Sequence, residues 1–432
     1  MRARGAELGK TVLIWALLLS LLWLTGLTWV YDDSLLDAPA LAWVSGVGRL
    51  LGVSGAAPNP ITPPDGGRVA REAARPVRVA VMQGGARLGA QYAPEVVDAL
   101  YERLKNTVGE AIGSAVPPRR QTRAEWERAL SYDSVYWEYA AAVPLSVLAE
   151  WLSVAPPAGF DAPVRRFFLS NRGGTLALFF LNEDTLVPYV SDTALSFGPV
   201  DTSGLSPCRF AFEAEDAALT RAPDTLLFDM PPALTAVRCE TPALAGAEVE
   251  AFLRGLRVNP DTLARYTEPD GTDVYVDDPR VCRFSPDGVI RYRANGAADG
   301  VPATATPAGR IEAARALLET LSPLLGDARF SLTGYAQTEE DRFAVDFDYE
   351  TQGAAVLPEA ENPAARVVLN GGVIAEVTVR VRRFTRADER IDLMPETLAY
   401  RLIEARFPSR TFALTVCFAG GEDLQTPVWF GK

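Results

Sequence analysis

The residues that most proteins use for acid–base and metal chemistry are scarce in this sequence. Its 432 residues include no histidine, and lysine occurs only at Lys10, Lys105 and Lys432. Histidine is the commonest general base near neutral pH and the commonest metal ligand. Its absence excludes Ser-His-Asp and Cys-His catalytic arrangements and histidine-based zinc sites. We therefore predict no catalytic residues, no cofactor and no metal ligands.

Carboxylates remain as possible catalytic groups, because paired acids alone can hydrolyse glycosidic bonds. The chain has 55 acidic residues, so abundance by itself identifies no pair. Trp126, Trp137 and Trp151 could form a sugar platform, although their helix and strand positions favour packing in a core. A cell-envelope enzyme or wall-ligand-binding protein is therefore the alternative interpretation. It predicts an acidic or aromatic-lined pocket within residues 75–243.

Two local patterns resemble ligand sites but lack their defining residues. The acidic run Asp270, Asp273, Asp277 and Asp278 could hold calcium, yet it lacks EF-hand spacing, and solvation of turns is the favoured interpretation. The segment GGARLG (84–89) follows a strand and precedes a helix. No GK[ST] follows it, so a phosphate-binding loop is rejected.

The four cysteines are Cys208, Cys239, Cys282 and Cys417. None forms a CxxC pair, which argues against structural zinc. An oxidising environment would permit a bridge between the nearest pair, Cys208 and Cys239. Their apolar surroundings favour small buried thiols instead.

An uncharged run of twenty residues, Thr11–Val30, predicts a transmembrane helix. At 1.5 Å per residue, such a helix crosses the roughly 30 Å hydrocarbon core of a bilayer. A cleaved secretory signal is the rival interpretation, but its apolar region is usually shorter and precedes small residues. The residues predicted to make the anchor are Trp15, Leu17, Leu21, Trp23, Gly26 and Trp29.

Charges on either side of this run predict its orientation. Arg2, Arg4 and Lys10 precede it, and Asp32 and Asp33 follow it. The positive-inside rule then places the N-terminus in the cytoplasm and the bulk of the chain outside the cell membrane.

Periodicity along the rest of the chain predicts an α+β fold with antiparallel sheets and helices packed on one face. Two Pro-Asp-Gly turns, at 269–271 and 286–288, separate the strands of a small meander. The predicted divisions are a cytoplasmic tail (1–10), the anchor (11–30), a juxtamembrane helix and linker (31–74), a first extracellular domain (75–243), a middle β-meander domain (244–300) and a C-terminal domain (301–432).

The meander RYTEPDGTDVYVDDPRVCRFSPDGVIRYRA (265–294), the order helix, strands, helix and the final strand TPVWF (426–430) resemble the YycH/YycI regulators of Gram-positive bacteria. The N-terminal anchor adds to the resemblance. It covers residues 11–30 and about 245–432, while the first domain suits the longer YycH type. Similar α+β units are found in PepSY-type modules.

The resemblance implies a non-enzymatic regulator of the WalK sensor kinase with one transmembrane helix and an extracellular α+β part. The implied partners are membrane lipid, a sensor histidine kinase and a paralogous accessory protein. Thr11–Val30 would contact the kinase's membrane helices, although it has no GxxxG motif, and an anchor without a specific partner is the alternative. A net charge of −13 with scattered basic residues argues against nucleic acid, and no small molecule is indicated.

Overall fold

The computed structural model describes residues 75–155, 161–196, 198–214, 224–261, 263–294, 300–303, 306–357, 362–407, 414–420 and 423–431. The predicted anchor and its flanking charges lie outside these ranges, so they stay predictions. None of the helices within these ranges has the length and apolarity to span a bilayer.

The first sheet has nine antiparallel strands in the described residues. Their order is β3-β7-β6-β5-β4-β1-β2-β8-β9. The strands are β1 (Arg78–Gln83), β2 (Ala86–Gln91), β3 (Arg119–Arg120), β4 (Ser134–Pro144), β5 (Pro163–Arg172), β6 (Thr175–Asn182), β7 (Val187–Ser196), β8 (Ser206–Phe210) and β9 (Leu226–Phe228).

Three helices cover this sheet: α1 (Pro94–Gly113), α2 (Arg123–Leu130) and α3 (Leu145–Trp151). Thr122 and Glu125 form the predicted capping box at the start of α2. α1 and α3 pack against the face that carries Trp137 and Phe167. α2 packs against the opposite face, which carries Phe168, so helices cover both faces of this sheet rather than one.

The GGARLG segment forms a hairpin rather than a loop before a helix. Gly84 and Gly85 adopt φ of 59° and 85° and make a two-residue turn between β1 and β2, with Gln83 opposite Ala86. Positive φ at both central residues is what such a turn requires, and glycine adopts it without steric cost.

The second sheet has fourteen strands in the described residues. The order is β11-β12-β13-β14-β20-β19-β17-β18-β22-β23-β10-β21, with β15 on β20 and β16 on β17. The strands are β10 (Leu234–Glu240), β11 (Ala264–Thr267), β12 (Asp273–Asp277), β13 (Arg280–Phe284), β14 (Val289–Ala294), β15 (Val301–Pro302), β16 (Arg329–Glu339), β17 (Arg342–Thr351), β18 (Ala354–Val356), β19 (Ala365–Asn370), β20 (Val373–Arg380), β21 (Arg383–Ile391), β22 (Leu414–Gly420) and β23 (Leu424–Gly431).

The predicted meander is present as β11 to β14 and continues the C-terminal sheet, because β14 pairs with β20. β10 precedes the meander in the chain, yet it pairs with β23 and β21 near the C-terminus. The second sheet therefore draws strands from all three predicted extracellular divisions, and the division boundaries stay a prediction.

The remaining helices are α4 (Ala247–Gly255), α5 (Pro307–Glu319), α6 (Ser322–Leu325) and α7 (Glu396–Arg406). Phe252 of α4 and Ile311 of α5 belong to the same buried cluster as Phe347 of the second sheet and Trp137 of the first. One apolar core therefore extends across both sheets. Burying each side chain of this size contributes about 1.5–3 kcal/mol.

Gly326 and Gly371 allow the cost of a close backbone approach to be measured. Both adopt left-handed φ, 66° and 61°. A Cβ on Gly326 would lie 2.3 Å from the carbonyl oxygen of Phe384, whereas a Cβ on Gly371 would meet nothing within 4 Å.

We expect Gly326→Ala to lower the free energy of unfolding more than Gly371→Ala does. Both variants carry the left-handed penalty of about 1–2 kcal/mol, and only Gly326→Ala adds an overlap that costs about 1–3 kcal/mol. Urea denaturation followed by tryptophan fluorescence measures the difference. Equal losses would show that Phe384 moves away freely.

Candidate functional site

Two adjoining cavities of about 250 and 130 Å³ lie between the two sheets. Residues of β1, β4 and β5 line one side, and residues of β16, β17, β18 and β22 line the other. The cavities have Val77, Tyr139, Ala140, Ser331 and Glu350 in common. They therefore share a wall, and we call the two cavities together the inter-sheet cleft. Ligand sites often lie at such junctions.

A buried carboxylate shared by two arginines forms one wall of the larger cavity. Glu138 on β4 accepts from Arg165 Nη2 at 2.9 Å and from Arg78 Nη1 at 3.3 Å. Arg78 lies directly opposite Glu138 on the neighbouring strand β1. Arg78 and Glu138 are both more than 90% buried. The strand register therefore brings the charges together away from water.

Electrostatics keep Glu138 ionised. Burial alone would raise the pKa of its carboxyl, but Arg78, Arg165 and Arg166 outweigh burial and hold that pKa below its usual value. The group of Arg78, Glu138 and Arg165 carries one net positive charge as a result.

Arg78 also joins the first sheet to the second. Its Nη2 donates to Thr415 Oγ1 on β22 at 2.7 Å. Tyr92, which follows β2, accepts from the Val416 N–H at 2.7 Å, and its hydroxyl lies 3.2 Å from Thr415 Oγ1. Polar bonds at this junction need defined geometry, so they fix how β22 meets β1 and β2.

Glu396 makes a second polar link between the halves. It is the first residue of α7 and is 3% exposed. Its carboxylate accepts from the Phe228 N–H at 2.6 Å and from Gln91 Nε2 at 2.9 Å, both on the first sheet. Burial raises the pKa of Glu396 to about 7, although Phe228, Arg78 and Gln91 favour the ionised form.

A further ion network fastens α2 to the first sheet. Arg166 on β5 donates two bonds of 2.9 Å to Glu183 and one of 3.1 Å to Asp224. Arg123 of α2 pairs with the same Asp224, and Trp126 Nε1 donates to it at 3.2 Å. These groups satisfy one another, so the network is structural.

The three tryptophans lie in the core, which confirms the favoured interpretation. Trp126 and Trp137 are at most 1% exposed, and Trp151 is 3% exposed. Trp126 packs edge-on against Phe168, and Trp137 stacks on Phe167. Trp151 also lines the smaller cavity of the cleft.

Sequence reasoning missed the charged wall of the cleft. Arg78 and Glu138 occur in otherwise apolar strands, in PVRVAVM and SVYWEYA. A lone charge within a buried strand needs a partner, since an unpaired buried charge is costly. That was the available signal, but it does not reveal which strands are neighbours.

The acidic run near residue 270 lies in turns and surface pairs. Asp270 accepts from the Thr272 N–H at 2.9 Å within a turn, and Arg265 donates to Asp273 at 2.9 Å. Asp277 pairs with Arg280. Within the described ranges, no three histidine, cysteine or acidic residues are placed to hold a metal ion.

All four cysteines are buried, and none of them forms a disulfide bond. Cys208 and Cys239 form no bridge, so the structure favours the interpretation as packed thiols. Burial raises the pKa of Cys208 to about 12 and raises that of Cys282 as well. Thiolate is the reactive form, so these cysteines are poor nucleophiles.

Neither Glu138 nor Glu396 is suited to be the general acid of glycoside hydrolysis. A general acid requires a carboxyl whose pKa is raised toward the working pH, whereas that of Glu138 is lowered. Glu396 has a raised pKa, but its oxygens already accept two hydrogen bonds. It is also absent from the lining of both cavities.

One face of α7 exposes apolar side chains. Leu398 and Leu402 are 49% and 54% exposed and lie four residues apart, on the same side of the helix. Ala399 and Tyr400 are buried on the opposite side. Exposed apolar groups of this kind are typical of surfaces that contact other molecules.

Comparison with known proteins gives one informative match. No protein-family model and no curated protein matches this sequence. Among solved structures, the crystal structure of YycH from Bacillus subtilis matches with a TM-score of 0.54 and 10% sequence identity. The match covers 84% of this chain and 94% of that one.

The chain has a YycH-like fold. The resemblance drawn from the anchor, the meander and the final strand is therefore confirmed at the level of fold. At 10% identity, the match identifies an architecture and leaves function to be argued from the chain itself.

We expect Glu138→Gln to lower the free energy of unfolding by about 3–5 kcal/mol, because it leaves two buried guanidinium groups without a counter-charge. Glu376→Gln is the matched control. Glu376 also bridges two arginines, Arg342 at 3.4 Å and Arg293 at 4.0 Å, but its side chain is 37% exposed. Its loss should cost about 0–1 kcal/mol. Urea denaturation at neutral pH compares the two. Similar losses would mean that the cleft wall is well hydrated.

We expect Glu396→Gln to make the free energy of unfolding less dependent on pH. The pKa of Glu396 is raised to about 7 in the folded state. The folded protein therefore binds this proton more tightly than the unfolded chain does. The associated stability is fully present below about pH 4.5 and is lost as pH rises through 7. The loss is on the order of 3 kcal/mol. Gln91 can reverse its amide to bond the new side chain.

Denaturation of wild type and Glu396→Gln at intervals from pH 5 to 8 measures this effect. The variant should gain stability relative to wild type as pH rises. A constant difference across this range would contradict a raised pKa.

Proposed function

We propose that this chain is a membrane-anchored extracellular protein that modulates a two-component sensor kinase through protein–protein contacts. The observation that carries the proposal is the YycH-like fold, which extends over most of both chains. The family resemblance of the sequence implies this role, and the fold supports it.

The proposed location rests on the amino-acid sequence. An uncharged span of twenty residues from Thr11 to Val30 is more stable in lipid than in water. The basic residues before it and Asp32 and Asp33 after it favour an N-terminus in the cytoplasm. The YycH-like part would then lie on the outer side of the membrane.

Two features of the described residues support a contact role over catalysis. The exposed face of α7, with Leu398 and Leu402, suits association with another molecule. The carboxylate at the wall of the cleft, Glu138, is locked between two guanidinium groups and ionised. Neither feature identifies the partner, so the kinase is assigned from the family resemblance.

The proposed mechanism is a coupling between the extracellular part and the bilayer. A change in the extracellular part would alter how the anchor helix presents its residues to the kinase's membrane helices. Trp23 and Gly26, which lie within the predicted span, are the residues best placed for such contacts.

Crosslinking from within the anchor tests the proposal. A photoreactive residue in place of Leu21 or Gly26 should capture a sensor kinase in intact membranes. The control replaces residues 11–30 with an unrelated apolar span of equal length and keeps the flanking charges. We expect this control to remain anchored and to lose the kinase crosslink, because the contact surface has changed while the anchoring energy has not.

Failure to recover any kinase from the wild-type anchor would count against the kinase assignment. Topology has its own readout. Protease added to intact cells from which the cell wall has been removed should degrade the part after residue 74. Protection of that part until the cells are permeabilised would show that the orientation is reversed.

A further inference from the structure

The inter-sheet cleft contains hydrogen-bond donors that no described group uses. Arg165 lines the larger cavity, and Arg75 and Trp151 line the smaller one. Arg165 Nε, Arg75 Nε and Trp151 Nε1 are all buried without a hydrogen-bond partner. A buried donor left unpaired costs about 1–3 kcal/mol, so three in one cleft indicate that something else accepts from them.

Several carboxylates of the same cleft already accept hydrogen bonds. Both oxygens of Glu138 accept from arginine, Glu350 accepts from Arg329 at 2.6 Å, and Asp348 accepts from the Ala364 N–H at 3.0 Å. No buried side-chain oxygen in the described lining lacks a partner. The cleft therefore suits a molecule that brings acceptors rather than donors.

The charge around Arg165 favours an anionic acceptor. Arg165 and Arg78 share the single carboxylate of Glu138, and only Arg165 Nη2 takes part in that pair. Guanidinium groups bind carboxylates through parallel N–H donors. A second carboxylate near Arg165 Nε would accept from a free donor and neutralise the local charge of the Arg78, Glu138 and Arg165 cluster. Asp348 and Glu350 also line the larger cavity, and Glu350 is paired with Arg329.

Part of the smaller cavity is apolar and suits the rest of such a molecule, although Arg75, Arg315, Glu319 and Arg329 also line it. Ile311, Leu318 and Leu332 line it together with Phe330. Tyr139 and Ala140 lie at the junction of the two cavities. A ligand with its head at Arg165 and a short hydrocarbon tail would therefore place polar and apolar atoms against matching surfaces.

We infer that the inter-sheet cleft binds a small organic carboxylate, with the carboxylate against Arg165 and its apolar tail directed past Ala140 into the smaller cavity. This inference does not depend on the proposed kinase partner. Because the cleft is lined by strands of both sheets, an occupant contacts both halves of the fold.

An amine is the competing ligand class. Asp348 faces the larger cavity as well, and a carboxylate there could receive an ammonium group. The buried polar groups argue against an amine, because every buried unpartnered polar atom of the described lining is an N–H. An ammonium ligand could accept from none of the three donors, whereas a carboxylate placed at Arg165 accepts from Arg165 Nε.

Pentanoate is the probe, with pentylammonium as the charge control. The full-length chain in detergent is titrated with each, and binding is followed by saturation-transfer NMR. Wild type should give a saturable pentanoate signal, and pentylammonium should not. Equal or tighter binding of pentylammonium would overturn the ligand class.

A matched pair of alanine variants tests the location. Ala140 lines both cavities, whereas Ala142, also half-buried on β4, lines neither. Ala140→Leu should fill the junction and abolish the saturable signal, while Ala142→Leu should retain it. Binding to the detergent is the same in both variants and therefore cancels in the comparison.

Arg165→Gln tests the head group, because it removes the guanidinium charge and leaves an amide that can still donate to Glu138. Pentanoate should bind about tenfold more weakly to this variant. If Arg165→Gln does not fold, the alanine pair decides. No saturable signal in wild type, or an equal signal in wild type and Ala140→Leu, would overturn the inference and leave a cleft that holds only water.

Discussion

Glu138 is the carboxylate on which the junction of the two sheets depends. Removing charges from water costs several kcal/mol for each ion unless the pairing geometry is nearly complete. The register of the neighbouring strands β1, β4 and β5 places Arg78 and Arg165 beside Glu138. Once Arg78 is held there, its remaining donors reach Thr415 on β22. The orientation of the second sheet against the first thus follows from an ion pair within the first. Glu396, at the start of α7, makes a second polar link between the halves through the Phe228 N–H and Gln91.

The cleft lies where polar bonds join the two sheets, beside the apolar core that both sheets share. Packed sheets normally interdigitate and leave few voids larger than a water molecule. Here small residues, including Ala140, Ala354 and Ala355, line the space, and the charged wall cannot collapse into it without losing its hydrogen bonds. A space of this kind persists because closing it would break the contacts that define the junction.

Short sequence patterns were sufficient to predict many of the helices, strands and turns of the fold. The meander was predicted from its Pro-Asp-Gly turns, and α2 from its capping box, because turn and cap chemistry act within a few residues. The order of strands in the sheets could not be predicted from the sequence. Arg78 and Thr415 are 337 positions apart, and no local pattern pairs β10 with β23. The candidate site was missed for the same reason. Its residues come from strands of both sheets, from β1 to β22, and no local pattern brings such distant segments together.

The position of β23 determines when the fold can be completed. This strand ends at Gly431, yet it lies inside the second sheet, between β22 and β10. β10 precedes β23 by almost two hundred residues in the chain, so it cannot pair with β23 until that strand has been synthesised. Contacts between such distant segments form slowly, since a long loop must close first. Until β23 is in place, the edges of β10 and β22 that it covers are exposed to other chains.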